Sequence, residues 1–321
     1  MIHPLPPGTR DVLPDEMHEL RTVTLRMSDV FEGAGYREVS TPSIEYEDVL
    51  RRGDASAAGA GFRLFDDSGQ VLALRSDATI PIARMVANHF EAASGELRFS
   101  YFERAYRAVR AGSTQSREFL QGGVELIGAP GAAGDAEVIQ VVVAALEAAG
   151  LRRHRIGLGD AMLYRTLLAA TDVPEPDCEA LLDCLARRDL VSLEARVDAL
   201  GVGDSARALL VELPTLRGGA EVLDRVDGSL AAAVENLRAL HELLAARGIA
   251  ERVIFDLGML RELGYYTGTI FEVYDPAVAF ALGGGGRYDE LLGQFGSARP
   301  ACGAALDVTR VHRAHLAEEG S

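Results

Sequence analysis

Residues 261–274, RELGYYTGTIFEVY, place two adjacent tyrosines before a short strand pattern. The run TIFEVY alternates β-branched or aromatic residues with polar ones, which is typical of a strand with one buried face. Tyrosines at the entrance to such a strand can hold a small polar ligand between an apolar wall and a hydroxyl group. Two core tyrosines before a strand are the simpler interpretation, and a ligand site is favoured only if other segments converge on the same place.

The remainder of the chain predicts paired strands with helices beside them. Residues 97–109 and 117–127 predict two long strands, and residues 63–74 predict a hairpin with its turn at Ser68 and Gly69. Because strands and helices do not alternate regularly, we expect an α+β fold with an antiparallel sheet flanked by helices. Further helices are predicted at 15–34, 79–90, 135–149 and 287–296, and further strands at 252–257, 269–274, 278–282 and 301–308.

Residues 161–250 differ in character from the segments on either side. Alanine, leucine, arginine and glutamate dominate, and helical periodicity recurs, as in DCEALLDCLARR. We therefore expect a core domain built from residues 1–160 and 251–321, interrupted by a mostly helical insertion at 161–250.

Composition excludes several classes of function. The 321 residues carry a net charge of -16, and all 32 basic residues are arginine. An acidic surface repels phosphate, so we expect no nucleic-acid partner. Without lysine there is no GxxxxGK[ST] loop and no Schiff-base residue, and we expect no cofactor. The N-terminus lacks an apolar signal region and no apolar run reaches membrane-spanning length, so a cytoplasmic protein is expected.

Cysteines and histidines give weak signals. Cys178, Cys184 and Cys302 form no CxxC pair and are interpreted as reduced thiols. His312 and His315 have helical spacing, but a zinc site needs three or four ligands, so we expect a solvated helix face and no metal.

Four segments together resemble the class II aminoacyl-tRNA synthetases, and within them histidyl-tRNA synthetase. PGTRDVLP at 7–14 with GYREVSTPSIE resembles the entry segment and the dimer-forming first motif. LRSDATIPIAR at 74–84 resembles the loop that holds the α-amino group of the substrate, and YRAVRAGSTQSREFLQGGVE at 106–125 resembles the second motif. RELGYYTGTIFE with GGGGRYDELL and ACGAALDVTR is similar to the histidine-recognition loop and the third motif.

The resemblance implies a pocket for free histidine. A carboxylate is needed for its ammonium group, a cation for its carboxylate, and polar partners for its imidazole. Asp77, Thr79 and Gln121 suit the ammonium, Arg261 the carboxylate, and Glu125 with Tyr265 and Tyr266 the imidazole. Taken one by one, Asp77 and Glu125 could be surface carboxylates and Gln121 a strand end. The positions carried over are Asp77, Thr79, Arg107, Gln121, Glu125, Arg261, Tyr265 and Tyr266 for histidine, and Arg107 and Arg310 for a vestigial nucleotide site.

The chain departs from the synthetase pattern in its nucleotide half. Val109 stands where the synthetase has a glutamate, and Gln115 where arginine is usual. Valine cannot bond an adenine amine, and glutamine cannot neutralise a triphosphate. The given sequence also ends eleven residues after Arg310, so we expect no anticodon-reading domain.

These departures are similar to those of the regulatory subunit of ATP phosphoribosyltransferase. The resemblance implies a noncatalytic subunit that forms dimers within a hetero-oligomer containing the short catalytic subunit and takes L-histidine as feedback effector. No residue is then catalytic. Two alternatives remain: a free-standing ligase that activates histidine with ATP, and a scaffold that binds no ligand.

Overall fold

A computed structural model describes residues 4–54, 61–108, 116–171, 173–226, 228–260 and 263–320. Helices and strands occur throughout these ranges. The α-helices are α1 (Pro14–Gly33), α2 (Glu47–Gly53), α3 (Thr79–His89), α4 (Gly131–Ala148), α5 (Leu163–Ala170), α6 (Glu175–Ala186), α7 (Leu190–Leu200), α8 (Asp204–Glu212), α9 (Ala231–Ala246) and α10 (Val308–Glu319). The strands are β1 (Arg37–Glu38), β2 (Ile44–Tyr46), β3 (Arg63–Phe65), β4 (Val71–Leu74), β5 (Leu97–Tyr106), β6 (Glu118–Ile127), β7 (Arg155–Asp160), β8 (Arg217–Gly218), β9 (Val253–Asp256), β10 (Thr269–Tyr274), β11 (Ala281–Arg287) and β12 (Ala301–Asp307).

One large, mainly antiparallel sheet organises the described chain. Its nine strands lie in the order β1-β5-β6-β12-β11-β10-β7-β9-β8, and only the pairs β1–β5 and β7–β9 are parallel. A separate three-stranded sheet, in the order β2-β4-β3, contains the predicted hairpin. The prediction of an α+β fold with an antiparallel sheet and flanking helices is confirmed.

The two faces of the large sheet have different roles because side chains alternate along each strand. In β6, Val124 and Leu126 point into the main hydrophobic core, and Glu125 and Ile127 point to the other side. Helices α1, α4 and α10 pack on the main-core side. Helix α1 contributes the apolar stripe expected from its sequence, with Leu20, Val23, Met27 and Phe31 buried.

A smaller core covers part of the opposite face. Helix α3 packs there through Ile80, Ile82 and Val86, beside Phe99 of β5. We call this side the α3 face. It carries the predicted ligand-binding residues.

The segment 161–250 is mostly helical, as expected. It contains α5 to α9, and its two-residue strand β8 pairs with β9 at the edge of the large sheet. Helix α9 packs against α4 and adds Leu237 and Leu240 to the main core. The division of the chain into a core domain and an inserted domain stays a prediction.

The segment after β10 differs from the sequence prediction. The strand expected at 278–282 is present only in its last two residues, because residues 276–280 form a turn and bend. The Asp275 side chain accepts from the Ala277 N–H at 2.8 Å at the start of this turn. Strand β11 begins at Ala281 and continues through the glycine run to Arg287.

The helix expected at 287–296 is also wrong. Only Leu292–Gln294 form a 3-10 turn. Asp289 accepts from the Ala301 N–H at 2.9 Å, and the Tyr288 N–H donates to the Ala301 carbonyl at 2.8 Å. These bonds hold the segment beside the start of β12 and compete with helix formation.

His312 does not lie on a solvated face, so that expectation is wrong. Its side chain is buried, and Nε2 lies 2.8 Å from Glu19 Oε2 on α1. In the part of the chain that the structure describes, no three histidine, cysteine or carboxylate side chains form a group that could hold a metal ion. The three cysteines are free thiols.

Candidate histidine-binding cleft

Three glycines at the centre of the sheet, which we call the glycine floor, let neighbouring side chains approach the sheet backbone on the α3 face. They are Gly123 of β6, Gly286 of β11 and Gly303 of β12, and Gly303 pairs with both Gly286 and Glu125. A Cβ atom at Gly303 would overlap the Glu125 carboxylate, and one at Gly123 would overlap the Tyr101 hydroxyl. Glycine in a strand often marks such a close approach. Side chains from neighbouring segments therefore lie directly on the backbone of the sheet.

Glu125 lies at the centre of this arrangement and is almost fully buried. The Thr79 hydroxyl, at the start of α3, donates to Oε1 at 2.8 Å, and the Tyr288 hydroxyl donates to Oε2. Burial raises the pKa of Glu125 to about 8, although both hydroxyl donors act in the opposite direction. A buried carboxylate with such a pKa can accept a hydrogen bond from an imidazole N–H or hold a proton itself.

A tyrosine cluster forms one wall of the cleft. The rings of Tyr265 and Tyr266 lie 4.8 Å apart between centroids, and Tyr265 meets Tyr288 edge-to-face at 5.7 Å. The ring of Tyr266 lies against the floor, since a Cβ at Gly286 would be 2.9 Å from its Cδ1. Tyr265 is buried and Tyr266 is half-buried, so Tyr266 is the more accessible of the two.

Hydrogen bonds of backbone N–H groups set the position of the tyrosine cluster. The Gly264 N–H donates to Asp54 at 3.1 Å just before the tyrosines, and the Thr267 N–H donates to the Arg287 carbonyl at 2.8 Å just after them. Thr267 also accepts from the Asp289 N–H at 2.9 Å. The tyrosine turn is therefore fixed at both ends to other segments.

Asp77 lies close to this cluster and is buried. It accepts from the Ile80 N–H at 3.2 Å and so helps to begin α3. Burial raises its pKa, against backbone hydrogen bonds that lower it, and its charge raises the pKa of Glu125 and Tyr265. The interpretation of Asp77 and Glu125 as surface carboxylates is therefore excluded.

The other predicted residues lie toward a second end of the cleft. Gln121 is four residues from Glu125 along β6, about 13 Å away at the usual rise of a strand. It is buried, and its Oε1 has no hydrogen-bond partner among the described residues. Opposite it on β12 is Asp307, with Arg310 and Arg107 nearby.

Three residues of the sequence argument lie outside the described residues. They are Arg261, expected to hold the histidine carboxylate, and the two departures Val109 and Gln115.

Two tyrosines of the cleft were missed in the sequence. Tyr288 follows the glycine run after Arg287, and Tyr101 lies opposite Gly123 on β5. Burial, and then the charges of Glu125 and Asp77, raise the pKa of Tyr101. The signal available for Tyr101 was the alternation of β5, which places it on the same face as Phe99.

Known proteins are similar to this chain over most of its length. Residues 8–311 match the family model described as histidyl-tRNA synthetase. A protein of Moorella thermoacetica named ATP phosphoribosyltransferase regulatory subunit is 39% identical over 96% of this chain and 80% of its own length. A protein of the same name from Symbiobacterium thermophilum is 42% identical over 96% and 78%.

A solved structure gives the same result for the fold. The crystal structure of an ATP phosphoribosyltransferase regulatory subunit/histidyl-tRNA synthetase from Bacillus halodurans superposes with a TM-score of 0.90 at 32% identity, covering 98% of this chain and 84% of that one. The expected class II synthetase-like fold is thereby confirmed. No helix among the described residues is long and apolar enough to cross a membrane.

Proposed function

Because this chain belongs to the histidyl-tRNA synthetase-like family of ATP phosphoribosyltransferase regulatory subunits, we propose that its cleft binds free L-histidine as a feedback effector. The cluster around Glu125 is the observation that carries this proposal. A carboxylate with two hydroxyl donors, walled by tyrosines over glycine backbone, suits a planar ring that carries an N–H group.

The rest of the ligand fits the remaining groups. The ammonium of histidine would lie near Asp77, with the unpartnered Gln121 oxygen as a further acceptor. The carboxylate of the ligand would form an ion pair with Arg261, and this role of Arg261 stays a prediction. Tyr266 would stack on the imidazole from the open side.

The subunit itself is noncatalytic in this proposal and acts on a catalytic partner. It assembles, as a dimer within a hetero-oligomer, with the short form of the ATP phosphoribosyltransferase catalytic subunit in the cytoplasm. Histidine then changes catalysis by binding one state of the assembly better than the other. A coupling of this kind needs only the difference in affinity between the two states.

Calorimetric titration of the purified chain with L-histidine tests the binding site. The wild type is expected to bind, and Glu125→Gln is expected to bind about tenfold or more weakly, since a hydrogen bond to a charged group contributes about 1.5–3 kcal/mol. Glu118→Gln is the matched control: it lies on the same strand, but its carboxylate pairs with Arg104 at the surface. Equal binding by the Glu125 variant and the wild type would place the effector site elsewhere.

Two further measurements separate the alternatives. Histidine-dependent exchange of pyrophosphate into ATP would establish a ligase and contradict the noncatalytic role. In the reconstituted complex, Glu125→Gln is expected to assemble normally and to remain active at histidine concentrations that inhibit the wild-type complex. Absence of histidine binding by the wild type would favour a scaffold.

A further inference from the structure

The carboxylate of Asp307 lies near two arginines, Arg310 and Arg107, beside Gln121. Asp307 is the last residue of β12 and faces the α3 side, because every second residue of a strand shares a face and Gly303 and Ala305 lie on that side. It pairs with Gln121 of β6 and is mostly buried, with 15% of its side chain exposed. Its Oδ1 accepts from the Arg310 N–H at 3.1 Å, so it also caps α10.

Arg310 is held beside this carboxylate. Its Nε lies 3.3 Å from Asp307 Oδ2, its Nη1 donates to the Ala281 carbonyl at 2.8 Å, and its guanidinium lies 5.4 Å from the Phe280 ring centroid. These contacts keep the positive charge at the end of the cleft.

Arg107 is the second positive charge near Asp307. Its guanidinium stacks on Phe119, 4.3 Å from the ring centroid. Phe119 precedes Gln121 by two residues on β6 and so lies on the same face, about 7 Å along the strand. Burial raises the pKa of Asp307, and the charges of Arg310 and Arg107 oppose that rise.

We propose that Asp307 is a built-in counter-ion that occupies the anion-binding end of the cleft and so selects against polyphosphate ligands. Two guanidinium groups close to each other would ordinarily attract phosphate oxygens. Here a carboxylate of the same chain neutralises part of that charge and would repel a bound polyanion at short range. Asp307 is thus a specificity-determining residue, and the proposal concerns anion exclusion whether or not histidine binds at the other end.

The variants Asp307→Asn and Asp307→Ser separate the effect of the negative charge from the structural role of this residue. Both residues cap helices about as well as aspartate, so either variant should retain the start of α10. Only the negative charge is then lost.

The test measures binding of inorganic tripolyphosphate and of MgATP by equilibrium dialysis at low ionic strength. Asp307→Asn is expected to bind both at least about tenfold more tightly than the wild type, equivalent to about 1.4 kcal/mol. Asp307→Ser should show the same gain. The gain should shrink as salt is added, since it is electrostatic.

Matched controls separate this local effect from others. Asp189→Asn makes the same change of net charge at another helix cap, where Asp189 accepts from the Ser192 N–H at 3.0 Å, and is expected to leave polyphosphate affinity unchanged. Adding Arg310→Gln to Asp307→Asn should remove the gain. The inference is overturned if both Asp307 variants fold and bind no more tightly than the wild type, or if Asp189→Asn gives an equal gain.

The test of anion exclusion has its own readout, polyphosphate affinity. Histidine affinity of Asp307→Asn is measured in parallel, because Asp307 lies opposite Gln121, a candidate partner of the histidine ammonium. A gain in polyphosphate affinity without any histidine binding would support anion exclusion and contradict only the effector site.

Discussion

Glu125 combines three properties that seldom occur in one carboxyl group. It is buried, it receives two hydroxyl donors, and its pKa is raised to about 8 by burial. Near neutral pH the free protein therefore holds a proton there in most molecules. A ligand that donates an N–H to this group favours the ionised form.

We expect histidine affinity to increase about fivefold between pH 7 and pH 8. Over that interval the ionised fraction of a group with a pKa of about 8 increases about fivefold, and the ligand binds the ionised form. The imidazole of histidine itself titrates mainly below this interval, near pH 6.5. Calorimetry at both pH values measures the change.

Glu125→Gln provides the control for this pH dependence. Its residual affinity should be nearly constant between pH 7 and pH 8. Proton release on binding, measured in buffers of different ionisation enthalpy, should occur with the wild type and not with the variant. A wild-type affinity that falls toward pH 8 would contradict ionisation of Glu125 in the complex.

For individual residues, the sequence predicted which side chains of the site lie together. It did not predict which hydrogen bonds they form with one another. Asp77, Thr79, Glu125, Tyr265 and Tyr266 do converge on one cleft. That Tyr288 and Thr79 both donate to Glu125 could not be predicted, because those bonds depend on the approach of three separate segments. The burial that shifts the Glu125 pKa is likewise a property of packing.

At glycine positions of strands β11 and β12, groups from other segments lie directly against the backbone of the sheet. A Cβ at Gly303 would overlap the Glu125 carboxylate, and one at Gly286 would meet the Thr269 carbonyl. The glycine run was expected to lead into a helix, and in the structure it forms most of strand β11. A close approach of other groups to the backbone accounts for glycine at these positions.

Gly303→Ala is expected to lower the free energy of unfolding by about 1–3 kcal/mol and to abolish measurable histidine binding, because the added methyl group displaces Glu125. Chemical denaturation and calorimetry measure the two effects. Gly33→Ala is the matched control, since a Cβ at the end of α1 meets nothing within 4 Å. It should keep wild-type binding and stability or gain slightly. Normal histidine affinity in Gly303→Ala would exclude the glycine floor from the binding site.

At the scale of the whole molecule, His154 is buried beside a contact between distant parts of the chain. It precedes β7, its ring is fully buried, and neither ring nitrogen has a hydrogen-bond partner among the described residues. The adjacent Arg152 and Arg153 N–H groups donate to Glu318 at the end of α10. Burial, and then the charge of Arg252, lower the pKa of His154 to about 4.

This burial should weaken the fold in acid. Between pH 6.5 and about 4 the unfolded chain binds a proton at His154 that the folded chain does not, so stability contributed by this group is lost as pH falls through that window. The wild type should lose up to about 3 kcal/mol more than His154→Leu over the interval. Denaturant titrations at pH 7, 5.5 and 4.5 measure the difference. His18→Leu, on the exposed side of α1, is the control and should show the same pH dependence of stability as the wild type. If all three proteins lose stability in parallel as the pH falls, burial of His154 is not the cause.

The overall architecture was the part of the structure that the sequence predicted best. Paired strand patterns and the composition change near residue 160 predicted the antiparallel sheet and the helical segment correctly. The burial of His312 was not accessible in this way, since it depends on α10 packing against α1, far away in the chain.

The glycine run also raises a question of alignment between strands. Residues 283–286 have no side chains that distinguish one pairing position from the next, so β11 could slide along β12 without burying a wrong group. Arg287, immediately after the run, prevents this slippage: it binds Asp135 at 2.7 Å and donates to the Gly131 carbonyl at 2.8 Å. A buried ion pair on the far side of the sheet thus sets the register of β11, and with it the place of Tyr288 over Glu125.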